Sequence, residues 1–201
     1  MAISAANIFL ELVRLKVRED KGANKDSQGI IAMMNKAVGV AVDSPYCAST
    51  VSHCFKKATS YIKNLTGLVT FPYTASSQAV KRWFKNKSLL SYDVQNLLHW
   101  KGAVAGWTNV GDSWHGHVFL VLRRFTVKDK DGNLKIVAIE TAEGNTSASG
   151  SREGSGIYIL RRKLFDDGLF YPVDKKGEKA GPGHKLWFCN TSDIAGGSWW
   201  G

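Results

Sequence analysis

Apolar and polar residues follow two different periods along this chain, and the change of period divides it. In residues 2–19 the apolar positions Ile3, Ala6, Leu10, Val13 and Val17 recur in steps of three and four, with Glu11 and Arg14 between them. Those steps mark one face of a helix. Residues 28–38 read the same way, and the polar run KGANKDSQG separates the two segments. A third helix is expected to start near Ser44, since serine is a good N-cap and Pro45 suits the first helical position, where a backbone N–H has no partner. Cys47 then falls in the first turn. The apolar face continues through Val51, Cys54, Phe55, Ala58, Tyr61 and Ile62. A short fourth helix is expected over SSQAVKRWFKNK, residues 76–87, with its basic residues on a solvated face.

From about residue 102 the period shortens. GAVAGW, HVFLVLRRF, KIVAIET, GIYILRR and KLWFCN are β-rich runs separated by turn residues, which predicts an antiparallel sheet. The Asp-Gly pair within KDKDGN, residues 128–133, marks a hairpin turn. The Gly/Ser-rich stretch EGNTSASGSREGSG, residues 143–156, has strands on both sides and reads as a long loop within one sheet. Helices first and strands second is an α+β order. The chain has 201 residues, 44% of them hydrophobic, enough for one domain spanning 1–201 around one core.

Charge narrows the partners. A formal charge of +10 implies an anionic partner such as nucleic acid, an anionic membrane or a bacterial cell wall. The N-terminal apolar stretch is interrupted by Glu11 and Arg14, and residues 29–42 fall short of the roughly 20 apolar residues that cross a bilayer. No export signal or membrane insertion is therefore expected. The seven tryptophans are expected mostly in the core or a groove wall.

Three cysteines, Cys47, Cys54 and Cys189, are too few and too odd in number for a secreted disulfide framework, so reduced thiols are expected. A first-turn Cys47 feels the positive end of the helix dipole, which favours thiolate. Cys54 lies about 10.5 Å further along a continuous helix, too far to share a zinc ion or a disulfide with Cys47. A nucleophilic cysteine needs a base. His115 and His117 flank Gly116, and His117 opens a strand, where it can face a helix N-terminus packed on the sheet. A base in turn needs an orienting group, and Glu143 and Asn145 follow the next strand. On extended backbone those two project to one side and Glu140 to the other. His115, His117 and Cys189 form a competing zinc set, because His-x-His on a strand faces one way.

The order cysteine at a helix start, then histidine, then Glu/Asn on neighbouring strands is the papain-like order. PYCASTVSHCF resembles the PWCAxFVxxCF stretch of CHAP-type and NlpC/P60-like peptidoglycan hydrolases, and GHVFLVL is similar to their GHVGIV strand. EGNTSASGSREGSGIYILRR resembles the EGNTN…GSREGxGVYRRxR signature of phage-encoded members. The matches run from about residue 20 to residue 163, and residues 165–201 have no counterpart. Tyr46 replaces a usual tryptophan, and KGAVAGW replaces PGDxxxW, so Ala103 stands where an aspartate is usual.

The resemblance implies a papain-like fold with N-terminal helices packed on an antiparallel sheet. It implies hydrolysis of peptidoglycan amide bonds with Cys47 as nucleophile, His117 as base and Glu143, or failing that Asn145, as orienter. No cofactor or metal is called for. An endopeptidase is favoured, with an N-acetylmuramoyl-L-alanine amidase as the alternative. It further implies a phage product made in the host cytoplasm that reaches the wall after holin release or as a virion component. Peptidoglycan is the expected partner and no specific nucleic acid is. The contrasting expectation, a basic nucleic-acid-binding or virion structural protein without turnover, leaves the Cys, His and Glu/Asn order unexplained.

Overall fold

The computed structural model describes residues 2–19, 29–60, 71–97, 100–108, 115–148 and 154–189. Its helices are α1 (Ala2–Arg14), α2 (Ile30–Ala37), α3 (Cys47–Ser60) and α4 (Ser77–Asn86). Its strands are β1 (Leu90–Ser91), β2 (Val104–Thr108), β3 (Gly116–Lys128), β4 (Leu134–Thr146), β5 (Gly156–Leu164), β6 (Phe170–Pro172) and β7 (Leu186–Cys189). They form one antiparallel sheet in the order β1-β7-β2-β3-β4-β5-β6. The architecture is α+β.

Alternation along β3 builds two apolar layers. Val118, Leu120 and Leu122 turn toward the helices, where they meet residues such as Phe9 of α1, Met34 of α2, Phe55 of α3 and Phe84 of α4. Phe119 and Val121 turn the other way and pack with Trp107, Ile139, Phe188 and Phe170, under Val94 and Leu97. Both faces of the central strands are thus covered. Gly144 on β4 lies against Thr50, one turn into α3, where an added Cβ would meet the threonine hydroxyl. The glycine lets the start of α3 press on β4.

Several sequence expectations are corrected. α1 ends at Arg14 rather than at residue 19, because Lys16 turns the backbone at φ 52° and Arg18 pairs with Gly156 at the start of β5. The Ile157 N–H donates to the Val17 carbonyl, and the Glu19 N–H to that of Ser155. Pairing with a strand distant in sequence overrides the helical period there. The buried side of α1 carries Ala5, Ala6, Phe9 and Leu12, and Ile3 stays exposed. β4 continues through residues 143–146, so the loop read over 143–156 starts only after Thr146. β1, β6 and a short 3-10 turn at Val94–Asn96 carry too little pattern to be read from sequence.

The C-terminal segment without a counterpart is part of the sheet, since β6 closes one edge and β7 lies between β1 and β2. The connector at 21–28, Tyr61, Ile62, Trp114, Trp199, Trp200 and the GSRE run at 150–153 lie outside the described residues. Among the described residues, no helix is long and apolar enough to cross a membrane.

Candidate active site

Cys47 is the first residue of α3. The Tyr46 carbonyl accepts the Thr50 N–H at 2.9 Å, so Tyr46, and not Ser44, holds the cap position. The reason lies in α2. The Asn35 side-chain amide donates to the Val42 and Ser44 carbonyls at 3.1 and 2.8 Å, which ties the approach to α3 to another helix. Cys47 therefore sits closer to the positive helix end than its expected place two residues into the first turn.

His117 and Glu143 meet where two strands part. The β3–β4 ladder runs from Lys128 opposite Leu134 to Leu120 opposite Ala142, and His117 and Glu143 lie just beyond its end. There His117 Nε2 and Glu143 Oε2 are 3.0 Å apart. Arg162 of β5 completes the group, its Nε donating to Glu143 Oε1 at 2.7 Å and its Nη2 to Oε2 at 2.8 Å. The Thr141 hydroxyl donates to Oε1 at 2.5 Å. His117, Glu143 and Arg162 are all buried.

Glu143 occupies Nε2 of the ring. That leaves Nδ1, which makes no hydrogen bond among the described residues, as the ring atom open to the Cys47 sulfur, and the ring lies close enough to act on that thiol. Burial alone would raise the Cys47 thiol, but the neighbouring His117 ring with its charge, and the N–H groups of Val118 and Ala48, bring it below its ordinary value. Burial alone would lower His117, but the neighbouring Cys47, the hydrogen bond with Glu143 and the negative charges of both push it up to about 9. These two shifts describe one proton shared by a coupled pair. Burial would raise Glu143 too. The Arg162 guanidinium and then His117 hold it far below the usual carboxylate range.

Of the two candidate orienters, the structure brings Glu143 to His117 and leaves Asn145 apart. Asn145 has a left-handed backbone at φ 56°, beside the register shift between Gly144 and Thr146, so the extended geometry expected for residues 143–145 does not hold. Its side chain is buried, and neither amide atom makes a hydrogen bond among the described residues. The close approach at Gly116 is to Ser77 and Gln78 of α4, not to α3. His115 is exposed, while Cys189 lies in the helix-side core. No group of three His, Cys, Asp or Glu among the described residues is placed to hold a metal ion, and the zinc set does not form.

Two residues of the neighbourhood escaped the sequence reading. Arg162 shares the inner side of β5 with Leu160, and an arginine at an inward position of an alternating strand calls for an acidic partner. That signal was available in GIYILRR. His184, between β6 and β7, stacks on Trp107 with ring centroids 3.9 Å apart, and Trp107 lies 5.8 Å from His117. Burial, followed by the positive charges of Arg162 and His117, lowers His184 to about 4, so it stands neutral beside the site at neutral pH. No local pattern announces that contact.

A buried thiol lowered by a histidine that a carboxylate holds in place is equipped for nucleophilic attack on a carbonyl followed by proton transfer to the leaving group. The Cys47 N–H, in the first turn of α3, is one of the amides a helix start leaves unpaired within the helix. In comparisons with known proteins, no family model and no curated protein matches the chain.

Proposed function

We propose that the protein is a papain-like cysteine hydrolase of the CHAP or NlpC/P60 type that cleaves amide bonds of bacterial peptidoglycan, acting as a phage-encoded endopeptidase. One observation carries the chemistry: Cys47 has a thiol lowered by a histidine partner that Glu143 in turn holds, whereas Cys54 and Cys189 are raised by burial. The Cys47 thiolate attacks the carbonyl carbon, and the tetrahedral intermediate collapses as the C–N bond breaks and His117 gives its proton to the departing amine. Water, deprotonated by His117, then hydrolyses the thioester and restores the thiol. The Cys47 N–H stabilises the oxyanion, an effect worth roughly 3 kcal/mol per donor in acyl-transfer sites.

The substrate class rests on the sequence resemblances of PYCASTVSHCF, GHVFLVL and the EGNT…GSREG stretch, and the +10 charge suits an anionic wall. Synthesis in a host cytoplasm with delivery by a holin or in a virion belongs to the same reading, and assay of purified particles separates the two routes.

The test is digestion of purified sacculi by the wild type and by Cys47→Ala, with mass spectrometry of the released fragments. Glycan strands still carrying cut stem peptides are the expected products. Bare glycan with whole free stems would make the enzyme an amidase with the same site. New reducing sugar ends that persist in Cys47→Ala would make it a glycosidase and overturn the reading. Absence of any cleavage, together with salt-sensitive binding of single-stranded DNA that survives Cys47→Ala, would make it a nucleic-acid binder.

A further inference from the structure

We propose that Arg162 is a positioning residue of this site: its guanidinium locks the Glu143 carboxylate in one orientation and keeps it ionised throughout turnover. The proposal rests on the Cys47–His117 reading above and adds to it a residue that acts only through Glu143.

Lone-pair accounting supports the lock. An ionised carboxylate offers about four acceptor sites. Oε1 takes Arg162 Nε and the Thr141 hydroxyl, while Oε2 takes Arg162 Nη2 and faces His117 Nε2. Each oxygen is engaged twice, and a two-point fork fixes the carboxylate plane as a single contact cannot. Glu143 can then turn toward His117 in one way only.

Charge accounting supports the second half. Glu143 is fully buried, and a buried carboxylate without a cation takes up a proton. His117 is a cation only while it holds the extra proton, and turnover requires it to give that proton to the departing amine. At that stage Arg162 is the cation that remains on Glu143. With Arg162 present, the thiolate, imidazolium, carboxylate and guanidinium sum to zero, and so do the carboxylate and guanidinium of the acyl-enzyme.

Among the described residues, the other groups around Glu143 offer no substitute. Thr141 is neutral, His184 is held neutral at pH 7, and Tyr158, opposite Glu143 on β5, lies under the Arg18 guanidinium at 3.9 Å. On the far side of His117 the ionisable neighbour among the described residues is Cys47.

The experiment measures Cys47 alkylation by iodoacetamide against pH, and sacculus turnover, on the full chain as wild type, Arg162→Gln, Arg162→Lys, Glu143→Gln and the Glu143→Gln/Arg162→Gln double variant. Without Arg162, Glu143 becomes a neutral acid within the assay range and stabilises the imidazolium less. The alkylation midpoint of Arg162→Gln should then rise by about one pH unit, and turnover should fall roughly 100-fold. Arg162→Lys keeps the charge and loses the fork, so its midpoint should stay near wild type while turnover falls. The double variant should match Glu143→Gln, because Arg162 has nothing further to act on.

An unchanged or lowered midpoint in a folded Arg162→Gln protein overturns the proposal, since Glu143 would then stay ionised alone. If Arg162→Gln does not fold, wild-type turnover in Arg162→Lys, or a double variant shifted well beyond Glu143→Gln, overturns it equally. Wild-type Cys47 alkylating no faster than Cys54 and Cys189 at neutral pH would instead bring down the Cys–His reading, and this proposal with it.

Discussion

Helix α3 carries two thiols seven residues apart, both buried and both free, with opposite chemistry. Cys54 faces the helix-side core, and burial alone drives its thiol far above the ordinary range. Cys47 is buried as well, yet its thiol is lowered, because at the helix start it meets His117 and the N–H groups of Val118 and Ala48. Burial is common to both and therefore does not decide reactivity. The partners decide it.

The largest way to break that contrast is to exchange the cysteines. Cys47→Ala is expected to abolish sacculus lysis with the far-UV spectrum unchanged. Cys54→Ser, which buries a hydroxyl at a cost of about 1–3 kcal/mol, should lower Tm and keep measurable activity. Lysis by folded Cys47→Ala would end the comparison outright.

Removing the partner should bring Cys47 closer to Cys54. His117→Ala is expected to slow turnover roughly 100- to 10,000-fold and to cut Cys47 alkylation at neutral pH, because the imidazolium no longer stabilises the thiolate. If His115→Ala has those effects instead, the base has been assigned two residues too late.

The pair also sets a pH window. Below the lowered Cys47 value the thiol is neutral, and above about 9 His117 has lost the proton it must donate, so the rate profile should be bell-shaped with its alkaline limb near that value. Glu143→Gln removes a negative partner, which favours neutral imidazole and neutral thiol alike. The alkaline limb should move down and the acid limb up, narrowing the bell, and a profile of unchanged width would hand the orienting role to Asn145.

The smallest effect is expected at that residue. Asn145 makes no hydrogen bond to His117, so Asn145→Ala should leave the alkylation midpoint of Cys47 where it is. Forcing alanine into left-handed backbone costs about 1 kcal/mol, and Asn145→Gly should recover it. A shifted midpoint in both variants would return Asn145 to the site.

Local pattern carried the site as far as its individual residues. The helix start beside Cys47, the strand opening at His117 and the Asp-Gly turn with Gly132 at φ 81° all follow from neighbours in sequence. What escaped is what distant segments decide. Ser44 looks like a cap until Asn35 of α2 takes its carbonyl, and residues 15–19 look helical until β5 offers Arg18 a pairing partner. Arg162 gains its meaning from a carboxylate on the neighbouring strand, and His184 from Trp107 far upstream. A one-dimensional period is blind to such pairs, because it reports which side a residue faces and not what waits there.

The seat of β7 between β1 and β2 bears on the order in which the protein becomes competent. β2 joins Val104 to Cys189 on one edge and Trp107 to His117 on the other, so the strand that backs His117 is bordered by the last described strand of the chain. During synthesis the α3 turn and the β3–β4 hairpin emerge first and close on local contacts, while the β2–β7 ladder awaits residue 189 and then meets the loop-closure entropy of a long intervening segment. Until then β2 presents an open strand edge, the surface through which partly made sheets pair with one another. A chain stopped after residue 164 is expected to aggregate and to show no faster alkylation at Cys47 than at Cys54. Nascent protein would thus hold Cys47 and His117 for some time before it holds them as a pair.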